Sequence, residues 1–417
     1  MRKLILFFGL AIVASMGSVA QNCDNKRFTE FNYFGRDSIG FQTASYGAAV
    51  NVSGQLQSLK YNVWFPKLNL DPLAKRPFIL MVHGGGFVGG QRQDLDTLCL
   101  MFARRGFVAA TIDYRLKFDT QCRDTLSKVY AVYRAVQDAH AAMRFFVANA
   151  NSLRIDTSKL LVGGSSAGAG TVLGLSYISQ QEMNQLYPGV KDSLGRLDTS
   201  GNAYRVPFRI KGLFNNWGGL QRDYFDAADA VPMISFHGDE DGTVDIDSAA
   251  DVDCLTAPPI IWGSRTLHYQ VAAAGKCSNI TVAIGGGHGI FNNTNAEKEF
   301  RVSKAACFFK SLFCGGCNPF YTTDTIPANC APAAARPVAP IASTTLQLQR
   351  NPVTDMVTVN ALLANSGTSL RVLDMMGRPL VANKGSNSIR VQNLPAGTYL
   401  LQVNHLGTTQ QLRFVKQ

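Results

Sequence analysis

The sequence predicts an α/β fold followed by a small all-β domain, and three features carry that expectation. From residue 24 to about 318, short apolar runs alternate with helical periodicity, the pattern of strands feeding helices around a mostly parallel sheet flanked by helices. Several of those runs end directly in glycine-rich turns. Beyond residue 344 the helical period vanishes, and only period-two segments separated by turn residues remain.

The elements follow in order. Phe78 to Val82 reads as a buried strand running into glycines, and Phe107 to Ile112 as another that ends at Asp113-Tyr114-Arg115. Over 128–149, Val129, Val132, Val136, Ala139, Met143 and Phe146 recur at spacings of three and four, which predicts a helix. Leu160 to Val162, Ile210 to Phe214, Val231 to Phe236 and Asn279 to Ile284 are further strands, before a last helix over about 295–313. The stretch 180–207 interrupts this alternation and is expected to form a short lid. Residues 319–344 contain Pro327 and the run APAAARPVAPIA; they are too poor in large apolar side chains to pack and read as a linker. In 345–417, alternating segments at 356–359, 370–373, 388–391, 398–403 and 411–415 predict a small β-sandwich.

The first twenty residues read as a secretory signal peptide. Arg2 and Lys3 precede the apolar run Leu4 to Val13, and Ser18-Val19-Ala20 is a small-residue cleavage site. No later run approaches the length needed to span a bilayer, so no transmembrane span is expected in the mature chain. The formal charge of +11 is spread out. Even the last domain, with seven basic and two acidic side chains, has no run of Lys or Arg, which argues against a nucleic-acid partner. Nine cysteines, at 23, 99, 122, 254, 277, 307, 314, 317 and 330, read as disulfide partners in an exported chain. Cys99/Cys122 and Cys254/Cys277 are the local pairs that spacing suggests. Cys314-Gly-Gly-Cys317 has no second Cys or His cluster with ligand spacing, so no metal site is expected.

The chemistry concentrates at a few turns. Gly164-Ser165-Ser166-Ala167-Gly168 fits G-x-S-x-G and stands between a strand and a helix, where a sharp turn would expose Ser166 as a nucleophile. His83-Gly84-Gly85-Gly86-Phe87 follows the strand 78–82. Consecutive glycines there free backbone N–H groups for an oxyanion hole, with Gly85, Gly86 and Ala167 as donors. A nucleophilic serine needs a base, and the chain has only six histidines. His83 belongs to the glycine loop, His140 lies inside a helix, and His268 and His405 have uninformative neighbours. His288, in Gly285-Gly-Gly-His288-Gly289 just after the strand 279–284, stands where α/β sites assemble. An orienting acid is expected between Ser166 and His288 in the chain. In His237-Gly238-Asp239-Glu240-Asp241-Gly242-Thr243-Val244 three acids compete, and the residues alone leave the choice open.

Residues 24–313 resemble the α/β-hydrolase esterases of the carboxylesterase and hormone-sensitive-lipase kind. The motifs are HGGGF at 83–87, DYR at 113–115, QDAHAAMRF at 137–145, SAG at 166–168, HGDEDGTV at 237–244 and GHG at 287–289. The resemblance implies Ser166, Asp241 and His288 as a catalytic triad, with Asp239 the reserve acid; Gly85, Gly86 and Ala167 as oxyanion donors; and Asp138 as a structural helix acid. Ser165 departs from the Asp or Glu that many relatives carry before the nucleophile. Residues 345–417 resemble the C-terminal sorting domain of type IX secretion cargo. The matching residues are Asn351-Pro352, Leu370 to Arg378, Leu394 to Tyr399 and Lys416. This implies a partner in the type IX secretion machinery and export across the outer membrane.

A secreted or cell-surface serine esterase is therefore expected, acting without metal or organic cofactor on small-molecule or polysaccharide-linked esters, with acetyl and feruloyl groups as the candidates. The rival readings are a serine peptidase of the same fold, which usually carries a large preceding domain, and a non-catalytic adhesion protein, which would have lost triad members.

Overall fold

The computed structural model describes residues 26–121, 123–251, 258–323, 348, 351–359, 368–375, 378–384, 388–405 and 408–417. The leader 1–20 and linker residues 324–344 lie outside the described residues. The first part of the chain runs β1 (Ile39–Val50), β2 (Leu56–Pro66), β3 (Arg76–Val82), α1 (Asp96–Ala103), β4 (Val108–Ile112), α2 (Ser127–Ala148), β5 (Ile155–Ser165) and α3 (Ala167–Tyr177). It continues through α4 (Gln180–Leu186), α5 (Val190–Leu194), β6 (Ile210–Asn216), β7 (Leu220–Gln221), β8 (Met233–Gly238), β9 (Ser248–Ala250) and β10 (Ile260–Trp262). It closes with α6 (Ser264–Ala273), β11 (Ser278–Ala283), α7 (Asn295–Cys314) and β12 (Phe320–Thr322).

Nine strands form one sheet in the order β1-β2-β4-β3-β5-β6-β8-β11-β12. The pairings β1–β2 and β2–β4 are antiparallel, and every pairing from β4 onward is parallel. Central strands in such a sheet are covered on both faces, so they are continuously apolar. All seven residues of β3 are buried. Phe78, Leu80 and Val82 point into the core shared with α2 and α3, while Ile79 and Met81 point into the one shared with α1 and α7.

The sequence missed β1 and β2 because neither is a plain apolar run; β1 is mostly exposed, and β2 mixes polar and apolar residues. It also placed the start of the linker too early. Phe320–Thr322 pairs in parallel with β11 and is the last strand of the sheet. The stretch 180–207 is not a free lid. Tyr133 and Gln137 of α2 donate to carbonyls at Leu194, Gly195 and Arg196, and Asn202 Nδ2 donates to the Tyr46 and Ala141 carbonyls, which straps the segment to α2 and β1.

Both suggested local cysteine pairs are overturned. Cys99 is a free thiol buried on the inner face of α1, and Cys277 is bonded to Cys317. Cys277 directly precedes β11 and Cys317 lies three residues before β12, so parallel pairing brings together sulfurs 40 residues apart in sequence. Cys314 is therefore not paired with Cys317, although Cys314 and Cys307 are disulfide-bonded too.

The C-terminal part consists of β13 (Met356–Thr358), β14 (Thr368–Leu373), β15 (Pro379–Lys384), β16 (Ser388–Arg390), β17 (Gly397–His405) and β18 (Thr408–Lys416). A four-stranded sheet, β15-β14-β17-β18, and the pair β13-β16 share one core containing Val357, Leu370, Val372, Ile389, Leu401, Val403 and Phe414. The strand β15 escaped the sequence reading because it opens on proline and lies at an edge with its side chains largely exposed.

One buried ionic cluster fastens the entry of β3. Asp71 accepts from Arg27 at 2.9 and 2.7 Å, from Arg76 Nε at 2.6 Å and from the Leu73 N–H at 3.0 Å. Burial pushes the Asp71 carboxyl up, but the bonds from Arg27, Leu73 and Arg76 outweigh it and hold its pKa below the ordinary value. Removing this carboxylate leaves buried guanidinium groups uncompensated, so Asp71→Ala should cost about 3–5 kcal/mol in urea unfolding at neutral pH. A depressed folded-state pKa gives stability that is present above the unfolded value and lost as pH falls through the folded one. The gap between parent and variant should therefore narrow below about pH 4.

Candidate active site

The site is assembled from turns at the C-terminal ends of β3, β5, β8 and β11. Ser166 sits between β5 and α3 with φ +54° and ψ −123°, a left-handed backbone that a side chain rarely adopts. Small neighbours make the turn possible. A Cβ on Gly168 would come within 2.1 Å of the Val82 carbonyl oxygen, and one on Gly164 within 2.3 Å of Gly168. The Ser166 N–H donates to the Asn216 carbonyl at 2.9 Å, and Asn216 Nδ2 donates to the Gly164 carbonyl at 2.8 Å, which ties the turn to the end of β6.

The glycine loop lies beside it. A Cβ on Gly84 would meet the Ser165 carbonyl oxygen at 2.8 Å and Ser166 Cβ at 3.2 Å, so backbone approaches the serine as closely as it can. Gly85 and Gly86 have φ of +112° and +61°. Among the described residues, nothing accepts a hydrogen bond from the N–H of Gly85, Gly86 or Ala167. Buried His83 holds the loop's shape: its Nδ1 lies 2.7 Å from the Gly84 carbonyl, and its ring stacks on Tyr114, whose hydroxyl donates to the His83 carbonyl. Behind Tyr114, Arg115 forks onto fully buried Asp138 at 2.7–3.0 Å. The DYR and helix motifs thus meet as one structural clamp under the loop.

The structure brings Ser166, His288 and Asp241 together. His288 Nε2 is 2.8 Å from Ser166 Oγ, and Nδ1 is 2.7 Å from Asp241 Oδ2. A carboxylate only accepts, so Nδ1 carries the proton and Nε2 offers its lone pair to the serine hydroxyl. Asp241 is buried and takes further bonds from the N–H groups of Thr243 (2.8 Å) and Val244 (3.0 Å), with His237 Nε2 at 3.1 Å. Burial alone would raise its pKa, but the bonds from His237, His288, Val244 and Thr243 reverse this and keep it ionised well below the carboxylate range. The other acids of the run are not in this position: Asp239 accepts from the Gly285 N–H at 2.6 Å, bracing the histidine loop from outside.

His268 and His140 are held by other partners. His268 is buried against Ser278, and burial lowers its pKa to about 4; His140 packs on Phe208, and burial lowers its pKa to about 4 as well. The His405 side chain lies outside the described residues. His237 is the functional neighbour that the sequence reading passed over, since it stood inside a motif noticed only for its acids. The Val244 carbonyl can only accept, so His237 Nε2 carries a proton that also faces Asp241, while Nδ1 meets Ser264 Oγ at 2.6 Å. A cavity of about 1080 Å³ opens at the opposite ends of the strands between His140, Arg144, Lys159, Lys211 and Lys276, and none of Ser166, Asp241 and His288 lines it.

Residues 66–193 match the family model BD-FAE, and residues 351–417 match the model of the secretion system C-terminal sorting domain. The chain has the α/β-hydrolase fold, and the matched region is similar to the BD-FAE family. An ethyl acetate hydrolase of Pseudomonas putida is 32% identical to this α/β-hydrolase over 116 residues, 27% of this chain and 33% of that protein. The esterase LipI of Mycobacterium tuberculosis is 31% identical over 122 residues, 29% of this chain and 34% of that protein. The α/β-hydrolase thus spans about a third of the length of these curated relatives. Among solved structures, the apo form of Thermogutta terrifontis esterase 2 is 20% identical with a TM-score of 0.47, covering 67% of this chain and 97% of that one.

The contact between Gly168 and Val82 gives a test of the turn. Gly168→Ala must push the turn off β3, and a displacement of about 1 Å at a reacting atom costs on the order of 100-fold in rate. Labelling of Ser166 by a fluorophosphonate should slow by at least that factor, while far-ultraviolet circular dichroism stays unchanged.

Proposed function

We propose that this α/β-hydrolase cleaves carboxylic esters through an acyl-enzyme, with Ser166 as nucleophile, His288 as general base and Asp241 as the acid that orients the base. The observation that carries this reading is the single imidazole that spans Ser166 Oγ and Asp241 Oδ2 at 2.8 and 2.7 Å. As Ser166 Oγ bonds to the ester carbonyl carbon, its proton passes to His288 Nε2. The carbonyl oxygen takes up negative charge facing the Gly85, Gly86 and Ala167 N–H groups, each donor worth on the order of 3 kcal/mol in the transition state. The tetrahedral adduct collapses, and the alcohol leaves with the proton held on Nε2. Water, deprotonated by the same nitrogen, then attacks the acyl group and releases the acid and free Ser166.

The substrates are esters of small to medium acyl groups, with acetyl or feruloyl groups carried on polysaccharides as the finer reading. Support comes from the solvent-open Ser166–His288 bond, from the strapping of 180–207 that leaves no free lid there, and from likeness to a protein named ethyl acetate hydrolase. The sorting-domain match implies export across the outer membrane, which supports a substrate met outside the cell, and a removable leader at residues 1–20 fits that route. The hydrolase region 21–318, now extended to Thr322 by β12, and the sorting region 345–417 act as separate domains in this reading.

Purified protein should hydrolyse p-nitrophenyl acetate, and Ser166→Ala should abolish the turnover; equal rates in the two proteins would sink the assignment. Asp241→Asn removes the acceptor that selects the His288 tautomer, and kcat should fall on the order of 10⁴-fold. Acetylated xylan, feruloylated oligosaccharide and a triglyceride, assayed side by side, then read the acyl preference.

A further inference from the structure

Arg301 in α7 is completely buried, yet among the described residues no carboxylate is hydrogen-bonded to it. Its donors go to uncharged oxygens on two different turns. Nη1 donates to Asn216 Oδ1 at 2.7 Å, Nη2 to Asn292 Oδ1 at 2.6 Å and Nε to the Phe291 carbonyl at 2.8 Å. The guanidinium Cζ lies over the Trp217 ring, 4.8 Å from its centre. Burial lowers its pKa to about 9, so it remains a cation at neutral pH. A buried cation with no carboxylate bonded to it is costly; here three hydrogen bonds and an aromatic face replace its hydration, and Glu297, one turn back on the same helix, attracts it.

What these partners do is specific. Asn216 holds both ends of the Ser166 turn, through its backbone carbonyl and its Nδ2. Trp217 follows it with φ +43°, and its ring meets His288 edge to face at 6.3 Å. Phe291 and Asn292 belong to the turn that leaves His288, where Phe291 has φ +51°. Three non-glycine residues in left-handed backbone, Ser166, Trp217 and Phe291, are therefore gathered around one side chain. Such conformations are strained and persist only where the surroundings over-determine them.

We propose that Arg301 is a positioning residue that locks the turn carrying His288 to the turn carrying Ser166, and so fixes the distance across which the proton moves. The proposal rests on Ser166 and His288 being nucleophile and base. Arg301 touches neither the serine nor the substrate. It acts through Asn216 and Trp217 on one side and through Phe291 and Asn292 on the other.

Arg301→Met keeps much of the volume and removes the fork. It should lower kcat about 100-fold with KM nearly unchanged, and slow fluorophosphonate labelling of Ser166 by a similar factor. Arg301→Lys keeps the charge over Trp217 but not the three-way fork, and should recover part of the labelling rate. Asn292→Ala is a second arm that does not depend on Arg301→Met folding: it deletes one bond from a partly exposed turn and should slow labelling about tenfold. Labelling within twofold of the parent in a folded Arg301→Met protein, or in Asn292→Ala, would overturn the proposal. These outcomes separate from failure of the esterase reading, which would appear as parent protein that neither labels at Ser166 nor turns over any ester.

Discussion

The reversal of the chain at Ser166 is the constraint on which the rest of the site depends. One residue must turn the backbone from β5 into α3, and it does so in a conformation that its own side chain disfavours. The turn survives because Gly164 and Gly168 touch each other and Gly168 rests on the carbonyls at the end of β3. That contact also fixes where the glycine loop can run, since the loop begins at the same end of β3. The glycine loop's free N–H groups and the Ser166 hydroxyl, the proposed oxyanion donors and nucleophile, are thus set by a single packing arrangement between two adjacent parallel strands.

Buried carboxylates show how the fold separates support from chemistry. Asp71 and Asp138 are surrounded by guanidinium groups that are themselves buried, so each is a closed ion cluster with nothing left to exchange. Asp241 is equally well supplied with donors, but one of them, the His288 imidazole, remains partly open to solvent. A carboxylate held ionised by fixed N–H groups and presented to one solvent-open imidazole is suited to steadying a charge that comes and goes.

Much of the site was legible in the sequence because its parts are local. A pentapeptide with glycines at both ends, a glycine run after an apolar strand and a histidine among glycines each declare a turn that only small residues allow. The acid was less legible: Asp239, Glu240 and Asp241 share one turn, and only three-dimensional register decides which oxygen reaches His288. Arg301 was illegible for a further reason, since a cation in a helix ordinarily faces water and its partner Asn216 lies 85 residues away on another turn. The same division holds for the fold. The fully buried strands from β3 onward stood out as apolar runs, whereas β1, β2 and β15 draw their identity from the neighbours they pair with. Cysteine pairing failed for that reason too, because the sulfurs that meet do so by strand adjacency and not by spacing.

The Cys277–Cys317 bond has a mechanical consequence. A pull on the chain from its C-terminal side reaches the large sheet at β12, a strand of three residues at the edge that can be peeled away bond by bond. Tension then arrives at Cys317, where a covalent link passes it to the base of β11, alongside β8 in the sheet's interior. The turns after β8 and β11 carry Asp241 and His288, so the edge can fray while the geometry of the site is left untouched.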